Sequence, residues 1–251
     1  MSEEVTVELR EDHVAVVEFD RPPHNFFDAA LIEQIADAYE RLDGDRGCRA
    51  IVLCSAGRHF CAGANFAAKN PAEGGHLYDQ AIRLFTFPTP VVAAVQGAAI
   101  GGGLGVALSA DFRVASPESR FSANFSRLGI HHGFGLTVTL PLVVGEQRAL
   151  ELLYTGERVR GDDAHAIGLC DRLVPADELR PAAITLAAQI AAAAPLAIRS
   201  IRSTMRGGLA ERVRAATAHE LEEQGKLFGT ADFAEGIAAS GERREPAFKG
   251  E

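Results

Sequence analysis

The stretch Gln96-Gly97-Ala98-Ala99-Ile100-Gly101-Gly102-Gly103-Leu104-Gly105 has the residue types and spacing best suited to chemistry. It follows the apolar run Val91–Val95 and leads into Val106-Ala107-Leu108-Ser109-Ala110-Asp111. That pattern predicts a buried strand, a glycine-rich turn and the start of a buried helix. Glycine lets a backbone approach another group with no Cβ in the way. The unpaired N–H groups and positive dipole end of a helix start favour developing negative charge. The turn therefore suits an oxyanion or a phosphate. A dinucleotide fingerprint needs glycines at its first, third and sixth positions, and no register across residues 97–105 supplies them. A P-loop needs a lysine after its last glycine, and Leu104 and Val106 stand there instead. Residues 91–110 match a membrane span in length, but the glycine run, Gln96 and the nearby Pro88 and Pro90 make them a buried core segment.

A second stretch repeats the logic upstream: Ser55-Ala56-Gly57-Arg58-His59-Phe60-Cys61-Ala62-Gly63-Ala64-Asn65-Phe66 follows the short apolar run at 50–53. Two such turns can aim two backbone N–H groups at one point. That geometry stabilises an enolate or a tetrahedral oxyanion, and losing one donor typically costs about 3–4 kcal/mol of barrier.

The elements that must position these turns read as α/β. Residues 13–19 alternate as a strand, which Arg21-Pro22-Pro23-His24-Asn25 ends because proline cannot continue a ladder. Asp28 is placed to cap a helix with apolar positions Leu31, Ile35, Ala38 and Leu42. Residues 50–53 form a short buried strand, giving strand–helix–strand order before the Val91–Val95 strand. Residues 69–75 are polar and glycine-rich, a mobile loop over the site, and residues 76–87 read as a helix. Short strands are expected at 112–115 and 120–122, then an irregular wall at 124–135, then helices from 137 and over 146–154. After Pro175 the chain is helical, with segments at 177–193, 196–206, 211–228 and 232–239.

The 251 residues suit one large domain, or one domain with a helical appendage, and the net charge of −9 argues against a nucleic-acid or anionic membrane surface. Cys48, Cys54, Cys61 and Cys170 form no C-x-x-C pair and read as buried thiols of a reducing compartment. The acidic Met1-Ser2-Glu3-Glu4 start lacks a signal-peptide apolar region, so a cytoplasmic protein is expected.

Together these motifs resemble the enoyl-CoA hydratase/isomerase (crotonase) family over nearly the whole chain. The resemblance rests on the order and spacing of Gly57-Arg58-His59-Phe60-Cys61-Ala62-Gly63-Ala64-Asn65, Gln96-Gly97 through Gly103, and Ser109-Ala110-Asp111. Gly156-Glu157, Ala164-His165-Ala166-Ile167-Gly168-Leu169, Leu173-Val174-Pro175, Asp232-Phe233-Ala234-Glu235-Gly236-Ile237 and the 243–249 tail add to it. It implies a core of repeated ββα units with two sheets over residues 1–190. It implies a C-terminal helical region at 191–251 that packs into trimers, often hexamers. It also implies acyl-CoA thioester substrates, with coenzyme A part of the substrate and no metal or redox cofactor. By position, the backbone N–H groups of Ala64 and Gly102 would grip the thioester oxygen, and Ala62, Asn65, Phe66, Gly101 and Phe125 would line the substrate site. Arg58, Lys69, Phe248 and Lys249 are the candidates for the CoA moiety.

The family's hydratases carry two glutamates, at places that here are Gly105 and Phe125. Hydration needs a base for water and an acid for carbon within about 3 Å of the reacting groups, and neither residue supplies one. Restoring Glu at 105 and 125 is accordingly expected to raise crotonyl-CoA hydration. His131 and His132 are the replacement acid/base candidates, since a histidine titrates near neutral pH. They read equally as capping or surface imidazoles, and adjacent residues are expected to point apart, so that at most one faces the site. Glu73, His76 and Asp79 are further acid/base candidates but read as a solvated loop, Arg127 suits a substrate carboxylate but reads as a surface arginine, Ser122 and Ser126 suit an ordered water, and Asp111 reads as a partner for local backbone N–H groups. Hydration, isomerisation, decarboxylation and β-dicarbonyl cleavage all remain open. So does a non-catalytic acyl-CoA-binding or assembly role. A hydrolase of Clp-like architecture would need a nucleophile elbow, and none is present.

Overall fold

The computed structural model describes residues 4–64 and 74–251. Asn65, Phe66, Lys69 and Glu73 lie outside the described residues, as does most of the expected mobile loop. The strands are β1 (Val5–Leu9), β2 (Val14–Phe19), β3 (Ala50–Ser55), β4 (Val91–Val95), β5 (Ala98–Ile100), β6 (Phe112–Ala115), β7 (Arg120–Ser122), β8 (Val159–Arg160) and β9 (Arg172–Leu173). The helices are α1 (Ala29–Asp43), α2 (Gly74–Arg83), α3 (Gly102–Ser109), α4 (Leu136–Val144), α5 (Glu146–Thr155), α6 (Gly161–Ala166), α7 (Leu179–Ala191), α8 (Pro195–Met205), α9 (Leu209–Leu227) and α10 (Ala231–Glu242).

Alternation along the valine-rich strands gives the larger sheet two apolar faces. Its strand order is β1-β2-β3-β4-β6-β9, with β1 antiparallel to β2 and every other pair parallel. Ala15, Val17, Phe19, Ile51, Leu53, Ala93 and Val95 face the core that α1, α2 and α3 cover. Val14, Val16, Val52, Val92, Ala94 and Val114 face α7. That helix presents Leu179, Ala183, Ala187 and Ala191, four residues apart, so its buried face is mostly methyl groups. The smaller sheet has the order β5-β7-β8. Its first strand is only Ala98–Ile100, joined to the first turn by an isolated parallel bridge from Cys61 to Ala99.

Asp28 caps α1 as its position predicts, its carboxylate accepting from the Leu31 N–H at 3.0 Å. Asp111 accepts from the Val91 N–H at 2.8 Å, the local role expected of it. It also ties α8 to the sheet through Arg202 at 2.9 Å and Arg206 at 2.8 Å. All four cysteines are buried free thiols. Burial pushes Cys48 and Cys170 up to about 11 and Cys54 and Cys61 up to about 12. Among the described residues no single helix is long and apolar enough to cross a membrane.

Candidate functional site

The two turns are laced together by backbone hydrogen bonds. Phe60 N–H donates to Gln96 O at 2.8 Å, Cys61 N–H to Ala98 O at 2.8 Å and Ile100 N–H to Cys61 O at 3.0 Å. The Gln96 side chain donates to Ser55 O at 2.8 Å, fixing the exit of β4 against the exit of β3. The first turn is held from its other side by Asn25, a buried residue. Its amide donates to Ala56 O at 2.8 Å and to His59 O at 2.7 Å, while its oxygen accepts from the Arg21 N–H. From the sequence this segment reads only as the end of a strand. Its anchoring role depends on partners more than thirty residues away.

The second turn ends at Gly101, whose φ of +57° favours glycine, and Gly102 opens α3. Gly101 N–H donates to Ser122 O at 2.8 Å, and Gly101 O accepts from Leu104 N–H and Gly105 N–H. Phe27 packs behind Gly102, where a Cβ would lie 2.4 Å from its ring. Among the described residues, neither the Gly102 nor the Ala64 N–H donates to a protein acceptor. At Gly102 this follows from its place in the first turn of a helix.

Ala62, Ala64, Gly101, Gly102 and Phe125 line one cavity of about 300 Å³. Its walls also hold the aromatic Phe26, Phe27, Tyr78 and Phe134 and the aliphatic Leu77, Ile100, Leu128 and Ile237, with Asn124, Gln224 and Ser240 as further polar side chains. Among the described residues no aspartate, glutamate, histidine, lysine or arginine lines it. Among the described residues its one ionisable group is the Tyr78 phenol, which burial, and then the charge of Glu220, pushes well above the usual range. That hydroxyl donates to Gln224 Oε1 at 3.0 Å, and Gln224 in turn donates to His131 O at 3.1 Å. Tyr78 and Gln224 are 146 residues apart, so no local pattern announces the pair.

The other candidates stand elsewhere. Arg58, His76 and Asp79 are exposed. Ser122 is buried and donates to Gly156 O at 3.0 Å. Arg127 donates to Thr155 O and pairs with Glu245 at 2.8 Å. Ser126, His131 and Phe248 line a separate hollow on the far side of the 125–132 segment. The Lys249 N–H donates to Asp232 Oδ1 at 2.7 Å, which fastens the tail to α10.

Residues 131 and 132 do not point apart. Their rings stack at 4.1 Å and 25°, because this segment is neither strand nor helix and the alternation of a strand does not apply. Neither ring lines the 300 Å³ cavity. His132 Nε2 lies 2.8 Å from Thr137 Oγ1 and 3.9 Å from Glu220. Burial, then the neighbouring His131 and His219, push His132 from 6.5 down to about 4. The Glu220 oxygens accept from the Gly135 and Thr137 N–H groups and the Thr137 hydroxyl. A histidine lowered on folding contributes stability that is full above 6.5 and is lost as pH falls toward 4. Over that window the loss attributable to His132 is roughly 2–3 kcal/mol. Melting curves between pH 7 and pH 4 are expected to fall less for His132→Gln than for the wild type.

The space at position 105 is not empty. A Cβ there would lie 2.6 Å from both Cβ and Cδ1 of Phe134. Phe134 is buried, sits at a φ of +63° and stands edge-on to Phe27 at 5.4 Å and 72°. A glutamate at 105 would therefore have to displace Phe134. Phe134 lies inside the wall segment named from the sequence, but nothing local marks a phenylalanine for a left-handed position.

The family model described as enoyl-CoA hydratase/isomerase matches residues 10–251. A crotonyl-CoA hydratase of Syntrophomonas wolfei is 33% identical over 248 residues, covering 95% of this chain and 95% of the relative. A short-chain-enoyl-CoA hydratase of Clostridium acetobutylicum is 33% identical over 245 residues, covering 94% of each. The crystal structure of an enoyl-CoA hydratase/isomerase from Pseudoalteromonas atlantica has a TM-score of 0.88 at 30% identity, covering 98% of this chain and 100% of that one. The chain belongs to the enoyl-CoA hydratase/isomerase family.

Proposed function

We propose that this protein binds an acyl-CoA thioester with its carbonyl oxygen on the Ala64 and Gly102 amides, and stabilises the enolate that forms there. One observation carries the reading. Ala64 and Gly102, whose amides have no protein acceptor among the described residues, line one cavity, and its described walls hold no carboxylate or imidazole. Such a site stabilises charge on oxygen but does not activate water by the two-glutamate route. Loss of a β-carboxylate releases CO2 and leaves its electron pair as the enolate with no protein base, solvent water then protonating the α-carbon, so decarboxylation suits the site better than hydration. Nothing is oxidised in it, and the chemistry needs no electron carrier. Arg58, Lys69, Phe248 and Lys249 remain the residues proposed for the CoA moiety. The lack of described proton-transfer side chains equally favours a protein that binds the thioester without turning it over.

The test is calorimetric binding of acetoacetyl-CoA beside a thioether analogue that lacks the carbonyl. The thioester is expected to bind at least tenfold tighter, about 1.4 kcal/mol, with an enolate absorbance band on binding. Equal affinity overturns the oxyanion assignment. Turnover of a β-carboxy acyl-CoA then separates an enzyme from a binding protein.

We also propose assembly into trimers or hexamers through the C-terminal helices. The support is α8, which leaves Leu196, Ile201 and Met205 81%, 58% and 79% exposed. Light scattering on the purified chain decides it.

A further inference from the structure

We infer that the acyl group taken by this cavity is a planar aryl group, and that Phe134 is the specificity-determining residue. This rests on the thioester reading above. Phe26, Phe27, Tyr78, Phe125 and Phe134 put five rings around one space. Aromatic side chains are rigid and prefer edge-to-face or offset packing with a further ring. Phe27 and Phe134 already adopt that arrangement with one another, at 5.4 Å and 72°. Both border the oxyanion turn, since a Cβ on Gly102 would meet Phe27 at 2.4 Å and Phe134 at 3.5 Å. A group whose carbonyl rests on the Gly102 amide therefore leads its α- and β-carbons past these two rings.

The backbone of Phe134 is the second observation. A bulky residue at a φ of +63° is held there only when its surroundings over-determine it. Here the next N–H, of Gly135, donates to the buried Glu220 carboxylate at 2.8 Å, and the Thr137 N–H donates to it at 3.0 Å. Glycine fits such a φ without strain, yet phenylalanine occupies it and fills the room beside Gly105. The strained backbone thus places a ring, 2% exposed, in the wall of the acyl space. The cavity of about 300 Å³ has room for a ring, given that an apolar cavity of about 150 Å³ suffices for benzene.

The experiment compares phenylacetyl-CoA with cyclohexylacetyl-CoA, which is close in volume but neither planar nor aromatic, using CoA alone as baseline. Calorimetry on the wild type is expected to give phenylacetyl-CoA about tenfold tighter binding than cyclohexylacetyl-CoA. Phe134→Leu is expected to erase that preference while still binding both thioesters. Phe134→Gly, which suits the backbone, is the second variant should leucine fail to fold. Equal affinity for the two ligands in the wild type overturns the aryl inference and leaves the thioester reading standing. A preference that survives both variants overturns the role of Phe134. No acyl-CoA binding tighter than CoA overturns the thioester reading, and this inference with it.

Discussion

Gly105→Glu will lower the melting temperature by more than about 10 °C and will leave crotonyl-CoA hydration at background. A Cβ at 105 meets Phe134 at 2.6 Å, at its own Cβ as well as on the ring, so rotation of the phenyl alone cannot relieve the contact. Overpacking of this kind costs about 1–3 kcal/mol. The carboxylate adds its own desolvation, because Gly105 is buried and α3 is apolar throughout. An unpaired polar group in such a place costs a further ~2 kcal/mol or more. For a chain of this size each kcal/mol moves the midpoint by about 2–4 °C. Adding Phe125→Glu does not help, since it leaves the obstruction at 105 in place. Phe134→Gly does, because it removes the three nearest clashing atoms and relaxes a left-handed backbone. The Gly105→Glu/Phe134→Gly pair should therefore be more stable than the two single changes sum to, by about 1–3 kcal/mol in a double-mutant cycle. A Gly105→Glu protein that melts like the wild type would show that Phe134 yields easily and that the site is not built around it.

Glu220→Ala will be the most damaging single truncation outside the apolar core, at about 4 kcal/mol or roughly a 10 °C fall in midpoint. The carboxylate is fully buried on α9. It accepts from Gly135 N–H at 2.8 Å, Thr137 N–H at 3.0 Å and Thr137 Oγ1 at 2.6 Å. These are charge-assisted bonds to the first turn of α4, a helix whose flanking glycine has no side chain to cap it. Alanine leaves those donors buried and unpaired, and it releases the segment that holds Phe134. Glu220→Gln keeps one acceptor oxygen and is expected to recover about half of the loss. Chemical denaturation of the three proteins measures both effects. A loss under 1 kcal/mol for alanine would mean that water replaces the carboxylate without strain.

How much of this was legible in the sequence follows from how local each signal is. The two small-residue turns announce themselves, because the glycines at 57, 63 and 101–103 stand within a few positions of the strands they terminate. The late helices were legible for the same reason. Expected segments at 177–193, 196–206, 211–228 and 232–239 correspond to α7, α8, α9 and α10 with shifts of one to three residues at most ends. The edge strand β1 was not, since only its first residue is buried and its pairing with β2 supplies the pattern that its sequence lacks. Nor was the inner wall of the cavity. Phe27, Tyr78, Phe134 and Gln224 come from four distant places, and each alone reads as an ordinary core or helix residue. Asn25 was read as punctuation after two prolines, whereas its side chain holds the first turn. The imidazoles at 131 and 132 drew notice for their titration range, but burial lowers His132, and both rings lie outside the cavity that holds the two amides.

The four sulfhydryls have a practical corollary. Each is sequestered from solvent and stays protonated far above neutral pH, so none competes for a maleimide or iodoacetamide reagent under native conditions. A cysteine introduced at an exposed position away from α8, at Tyr154 on α5 for instance, would thus carry a fluorophore or spin label at one defined position. Distances between such labels on separate copies would map the stoichiometry and geometry of assembly without first stripping the native thiols.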